Sequence, residues 1–553
     1  MEIKAKDLAG RIAVFETNHG KVETPTIFPV VHPQDQAVPV DEIRAMGAGG
    51  IIVNAYMLWK NHRAEALEKG VHKLMRWDRA IMTDSGAFQL MMYKSVDVTN
   101  AEIIQFQKDI GVDIGVPLDI PGLGSREQME KNLATTIERA KELKQDNRLW
   151  CGPIQGGTFM DLRKRSCAAM KKLGFNYYAL GSVVPLMNQY RFAENIDILA
   201  TCKQALPLNV PVHHFGGGHP MFFAFAVAMG ADVFDSAAYS LFAKKGSYMT
   251  VSGTQAIADM DYLPCSCPAC RGRSPKDLDE KALSRHNLYA TFDEINRIKQ
   301  AISEGTLWEL LEERARGHPA LAQAFVRMAK HKKYLESLDP YTKKRFFYLS
   351  KESANRVELY RHKQSKCSSR NYIDAFPFKR VPCEIVERYP FGQTELPGGR
   401  EAPTPCGSPL ERANALAEYQ FGVKGLFPAD AEIRLSNKTG RMRDVTCSGK
   451  VLAAFRASDY VVIPHESARD IHARSKQWRV VVEQDTAEFP ASGKSVFAKF
   501  VKSCDPAIRA GMEVLVVDEH DALLACGQAV LCAREMRDFD SGLAVMVRHG
   551  FGK

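Results

Sequence analysis

Eight short apolar runs, spaced evenly through the first half of the chain, constrain its fold more than any other feature. They lie at 25–32, 50–56, 80–86, 112–120, 150–157, 177–184, 210–218 and 231–238. Stretches with helical spacing of apolar residues separate them, among them 100–110, 125–145, 161–174 and 219–230. Eight strand-and-helix units over roughly 250 residues are what a (β/α)8 barrel requires. A doubly wound open sheet would alternate in the same way, but its G-x-G-x-x-G phosphate turn is missing. The expected catalytic fold is therefore an α/β TIM barrel.

Strand after strand ends on a polar or glycine cluster: Asp84-Ser85-Gly86, Asp119, Gln155-Gly156-Gly157, Gly181-Ser182, Gly216-Gly217-Gly218 and Asp235-Ser236. One such cluster is a turn signal. Six at the same end of six strands converge on the rim where barrels keep their active sites. Glycines there allow backbone to approach a flat ligand.

Beyond the last barrel strand, Cys265, Cys267, Cys270 and His286 follow C-x-C-x2-C-x15-H spacing. Three thiols and an imidazole suit a closed tetrahedral Zn2+ site with a structural role, because no position is left for substrate. His213, His214 and His219 also lie near the rim and would suggest an amidohydrolase-like metal cluster. Paired histidines on strand 1 are missing, since His32 stands alone there, so these are expected to be core or solvent-facing residues.

At 553 residues the chain is too long for one core and suggests three or four domains. Ten cysteines outside the metal motif are scattered, as in a reducing cytoplasm. No signal-peptide core opens the sequence, and no apolar run approaches the ~20 residues needed to span a bilayer. A cytoplasmic protein without a membrane partner is expected. Net charge of +9 is compatible with a nucleic-acid partner without requiring one.

The expected organisation is a barrel with its zinc subdomain over 1–340, a basic and aromatic segment over 341–409, a small α/β unit over 410–475 and a β-rich tail over 476–553. Residues 286–338 read as two helices. Stretch 341–380 holds eleven Lys or Arg against three acids, interleaved with Phe346, Phe347, Tyr348, Tyr360, Tyr372, Phe376 and Phe378. Such a stretch either meets phosphates and bases or is a solvated face with aromatics turned inward. Residues 393–409 read as a linker.

The segments IMTDSGAFQL (81–90), PLDIP (117–121), GPIQGGT (152–158), ALGSVVPLM (179–187), HHFGGGHPM (213–221), FDSAAYSLFAKKG (234–246) and CSCPAC resemble the archaeal tRNA-guanine transglycosylases. The tail, from PASGKSVFAKFV onward, resembles the PUA domain that ends those enzymes. The resemblance implies exchange of guanine at position 15 in the D arm of tRNA for free 7-cyano-7-deazaguanine (preQ0), without ATP, in archaeosine formation. It also implies a homodimer. Asp235 would attack the ribose and Asp84 would act as general acid/base, although the two roles remain interchangeable in sequence. Asp119 would take the N–H edge of the base. Gln155 and the backbone at Gly181, Ser182 and Val183 would hold its carbonyl side, with Phe88 stacking on the ring and Ser85 nearby. The chemistry fits independently: exchanging a base without an energy source calls for a carboxylate that conserves the glycosidic bond and a second group that moves the proton. A related archaeosine synthase, or a silent RNA-binding subunit, would be expected to have lost an aspartate.

Overall fold

A computed structural model describes residues 1–86, 98–365, 371–399 and 403–552. It divides into two units, Met1–Ser303 with Leu310–Lys330, and Glu304–Glu309 with His331–Lys553. Phe88 lies outside the described residues.

The first unit is built on eight parallel strands: β1 (Thr26–Pro29), β2 (Gly50–Asn54), β3 (Ala80–Asp84), β4 (Ile114–Gly115), β5 (Leu149–Ile154), β6 (Tyr177–Leu180), β7 (Val212–His214) and β8 (Val233–Ser236). Each pairs with the next from β2 to β8, and β8 pairs with β1. A parallel bridge between Val30 and Ile52 closes the ring, with the Val31 N–H donating to the Ile52 carbonyl at 2.9 Å. The expected TIM barrel is the observed one. Its strands read as unbroken apolar runs because the helices cover their outer face while the interior is filled. Phe28, Ile52, Met82, Ile114, Cys151, Tyr177, Ala179 and Val233 form that filling.

The helices that follow the strands open on caps that the sequence supplies. Asn54 accepts the Met57 N–H at 2.8 Å, Thr99 and Glu102 form a capping box, and Ser125 accepts the Gln128 N–H.

One element has no counterpart among the sequence expectations. Glu2–Asp7, Gly10–Thr17 and Gly20–Thr24 form an antiparallel three-stranded sheet. Phe15 and Val22 from this sheet join the barrel's interior core. Arg11 clamps both carboxylate oxygens of buried Asp232, at 2.7 and 2.8 Å.

Residues 286–338 form four helical pieces rather than two: Glu280–Glu304, Leu307–Ala315, Pro319–Met328 and Lys332–Leu338. Gly305 takes the left-handed conformation (φ 77°) that ends the first piece. His318 caps the third, accepting the Ala320 N–H at 3.1 Å ahead of Pro319.

In the second unit, helix Pro409–Phe421 opens with a Ser408–Glu411 capping box and precedes a four-stranded antiparallel sheet of residues 432–435, 442–447, 450–455 and 462–464. A six-stranded sheet follows within 479–550. One apolar core runs through the whole unit, from Phe346, Leu359 and Phe378 through Leu416, Val445 and Val462 to Leu515 and Cys526.

The basic and aromatic stretch divides. Arg356 is fully buried against Glu358 (2.9 Å) and Glu309, Lys343 pairs with Asp339 at 2.8 Å, and Arg361 pairs with Glu336 at 2.9 Å. Phe346 and Phe378 turn inward. Lys344, Arg345, Lys351, Lys379 and Arg380 are exposed, as is Phe376. The stretch thus divides between buried ion pairs with inward-turned aromatics and cations that face solvent. Among the described residues, no helix is long and apolar enough to cross a membrane.

Candidate active site and metal centre

Asp84 stands at the C-terminal end of β3, in register with Asn54 on β2. The Asn54 amide donates to its Oδ2 at 3.1 Å, and the Gly86 N–H donates to Oδ1 at 3.1 Å. Burial pushes the carboxyl up, the two donors oppose that, and the charges of Asp119 and Asp235 add to the rise, leaving it at about 6. Those two carboxylates are thus close enough to be felt by Asp84. Ser85 is buried, and its hydroxyl has no partner among the described residues.

Asp119 follows β4. Burial pushes it up to about 6 as well, against the opposing hydrogen bond from Gln155. The Gln155 amide is held from both ends: its Nε2 donates to Asp119 Oδ2, and its Oε1 accepts the Ser182 hydroxyl at 2.6 Å. Ser182 Oγ in turn accepts the Gly122 N–H at 2.8 Å. Ser182 does this from the left-handed region (φ 62°), a conformation that costs an L residue of order 1–3 kcal/mol and concentrates at functional sites. Gly181 has no room for a side chain, since a Cβ there would stand 2.1 Å from Gln155 Nε2. Val183 is buried beside it. Next to this network lies a cavity of about 630 Å³, lined by Pro121, Gly122, Leu123, Met129, Pro185 and Arg191 among others.

Asp235 is the penultimate residue of β8, which pairs with β1. Its Oδ1 accepts His213 Nε2–H at 2.9 Å and the Gly216 N–H at 2.5 Å. The glycine loop makes this possible, because a Cβ on Gly218 would stand 2.0 Å from the Asp235 carbonyl oxygen. Sequence reasoning missed Asn54 and His213 as partners of these carboxylates, Tyr177 behind His213, and also Arg163. That guanidinium is fully buried and pins the loop after β5 through the carbonyls of Gly157 (2.9 Å) and Ile154 (2.7 Å). An asparagine ending the apolar run GIIVN is the one local signal that pointed to Asn54.

His213 and His214 are core residues, and burial drops His214 to about 3. His219 caps the helix Pro220–Ala228 and contacts Thr254 Oγ1 at 2.9 Å. These three form no converging ligand set among the described residues.

Cys265, Cys267, Cys270 and His286 do converge, their ligand atoms all lying within 4.8 Å of one another. His286 projects from the long helix Glu280–Glu304, with Nδ1 3.2 Å from Cys270 Sγ and 3.6 Å from Cys267 Sγ. Its Nε2–H donates to the Met249 carbonyl at 3.0 Å, which turns Nδ1 toward the thiols as a metal ligand. Tyr248 stacks on the ring at 3.6 Å. Three thiolates and an imidazole at these separations fit a tetrahedral ion, whose ligand atoms stand roughly 3.3–3.8 Å apart. A second group, His19, His72 and Asp113, sits just ahead of β4, at the end of the barrel away from the rim. Asp113 meets His19 Nδ1 and N–H on one oxygen and the Ile81 N–H on the other, at 2.8–3.0 Å, and His72 Nε2 stands 3.1 Å from that second oxygen.

Comparison with known proteins gives the class. Residues 7–320 match the family described as queuine tRNA-ribosyltransferase, residues 411–477 the patch-forming domain C2 of tRNA-guanine transglycosylase, and residues 478–551 the PUA domain. With a TIM barrel whose rim gathers three carboxylates, the chain belongs to the tRNA-guanine transglycosylases, a family of pentosyltransferases. Individual relatives are similar from end to end. The tRNA-guanine(15) transglycosylase of Thermococcus onnurineus is 43% identical, over 100% of this chain and 99% of the relative. Those of Pyrococcus furiosus and Methanocaldococcus jannaschii are 43% and 40% identical, over 99% of this chain and 97% and 99% of the relatives.

Proposed function

We propose that this chain exchanges guanine 15 of tRNA for free 7-cyano-7-deazaguanine through a covalent aspartyl-ribose intermediate. Asp235 attacks C1′ of the ribose as the bond to guanine breaks, and Asp84 gives the departing base its proton. The same Asp84 then takes a proton from the incoming base, whose nitrogen displaces Asp235 from C1′. No bond energy is lost, so no nucleotide triphosphate is needed.

The observation that carries this reading is the contrast between two carboxylates at one mouth. Asp84, pushed up to about 6, is matched to moving a proton near neutral pH. Asp235 has two donors on one oxygen, an arrangement that suits a carboxylate acting as an anion. Asp119 and Gln155 meet the N–H and carbonyl edges of the base, with the backbone from Gly181 to Val183. The Cys265, Cys267, Cys270 and His286 cluster holds a structural zinc ion, closed to substrate by its four protein ligands. Segments 341–409, 410–475 and 476–553 serve to hold tRNA, and their contacts offset the few kcal/mol of extruding a buried base.

Incubating the enzyme with unmodified tRNA and labelled 7-cyano-7-deazaguanine tests this. Label entering the tRNA at position 15 is expected. Tight binding without incorporation would indicate a silent RNA-binding subunit, and incorporation of an aminomethyl base alone would overturn the choice of substrate.

A further inference from the structure

We propose that His213 is a positioning residue for base exchange: its Nε2–H holds one oxygen of Asp235 so that the other faces the ribose, and the Tyr177 hydroxyl meets its other ring nitrogen and holds the ring in place. This rests on the reading of Asp235 as the nucleophile.

The barrel register sets up the arrangement. His213 on β7 pairs with Ala179 on β6 and Val233 on β8, and both of those partners belong to the interior core. Side chains two residues apart on a strand share a face. Tyr177, two before Ala179, and Asp235, two after Val233, therefore point into the same interior as His213. The three side chains form a diagonal chain that rises from the packed core to the rim. The Tyr177 hydroxyl lies 3.0 Å from His213 Nδ1, and His213 Nε2 lies 2.9 Å from Asp235 Oδ1. Tyr177 and His213 are fully buried and Asp235 is 7% exposed, so water does not compete for these bonds.

Proton placement follows from the partners. A nitrogen facing a carboxylate must carry hydrogen, so Nε2 is the donor. Nδ1 meets the Tyr177 hydroxyl, which can donate or accept. Both ring nitrogens are satisfied, and the ring is held in one orientation from both sides. The neighbouring His214 shows the contrast, since neither of its nitrogens has a partner among the described residues. At the rim, Asp235 Oδ1 takes both the His213 and the Gly216 donors, and Oδ2 takes none among the described residues. An oxygen engaged by two donors is a poor nucleophile. Oδ2 is left to meet C1′, and a carboxylate that cannot swivel keeps it there.

Three variants test the proposal: His213→Leu, which removes the donor; His213→Gln, whose amide can restore it; and Tyr177→Phe, which removes the group behind. For each, kcat and KM for tRNA, the rate of covalent adduct formation and the thermal midpoint are measured. In H213L, kcat and adduct formation should fall on the order of 10²-fold at unchanged KM, the scale of a misplaced reacting group. H213Q should recover most of that loss, which a purely structural role would not predict. Y177F should give a smaller fall, again in kcat alone. A folded H213L with unchanged kcat overturns the proposal. If H213L does not fold, unchanged kcat in Y177F overturns it instead. Asp235→Ala separates the two levels: adduct formation without that carboxylate defeats the nucleophile assignment itself, whereas loss of adduct in D235A with unchanged kcat in H213L defeats only the positioning role.

Discussion

A carboxyl group raised to about 6 inside a folded protein is a source of instability at neutral pH, which bears on Asp84 and Asp119 alike. Their folded values lie above the ordinary value of 3.8, so the folded state binds more protons than the unfolded one between about 4 and 6. The associated stability is fully present below the unfolded value and is lost as pH rises through about 6. Asp84→Asn should therefore raise the thermal midpoint at pH 7.5, and the gain should shrink as the pH falls from 6 to 4. The same variant should lower kcat for base exchange by roughly 10²–10⁴-fold while leaving tRNA affinity in place. An equal gain at both ends of that range would contradict the buried, charge-coupled setting of Asp84. At Gly181 the effect is steric. Gly181→Ala must displace Gln155, so KM for the free base should rise while KM for tRNA does not, as saturation curves in each substrate would show.

The elements around the metal cluster depend on one another. Asn287, next to His286 on the long helix, accepts the Met249 N–H at 2.8 Å and donates to the carbonyls of Tyr239 and Ser247 at 3.1 Å. The hairpin Ser247–Ala256 is thus tied to the helix that supplies the imidazole, while the three cysteines lie in a segment with little regular structure of its own. A bound ion would fasten that segment to the helix, and its binding energy is then folding energy. Stripping the metal with a chelator should lower the thermal midpoint and increase proteolysis within 257–279. Exchange activity should return on adding Zn2+, because the ion touches no rim carboxylate. Residues 286–338 hold more helices than the two expected: Gly305 and Gly317 read as breaks in the sequence and do separate helices, whereas the stop after Met328 has no glycine or proline to mark it.

For the molecule as a whole, the question is how a folded RNA is held. Within the second unit a single core includes Leu515 and Cys526 from the tail together with Phe346, Leu416 and Val445. Deleting 476–553 would expose that core and confuse weaker binding with failed folding. Charge substitutions are the cleaner probe. Replacing the exposed Lys344, Arg345, Lys379 and Arg380 by alanine should weaken tRNA binding at low salt, with little change in kcat at saturating tRNA. For each phosphate that one of these cations neutralises, the slope of log affinity against log salt should flatten by about 0.7–0.9. An unchanged slope would mean that these residues face solvent only.

The sequence by itself determined the barrel, the residues at its rim and the four-residue metal motif, because each is written locally: short apolar runs, polar strand ends and fixed ligand spacing. Tertiary structure decided what each rim residue experiences. Asp84 and Asp235 look alike in sequence, yet one is raised by burial and neighbouring charge while the other is held by His213, a strand away, with Tyr177 behind it. The N-terminal sheet, the partition of the basic stretch into buried ion pairs and exposed cations, and the anchoring of Gln155 were equally beyond local reading. Burial, field and hydrogen-bond partners are properties of residues far apart in the chain, and no window of sequence contains them.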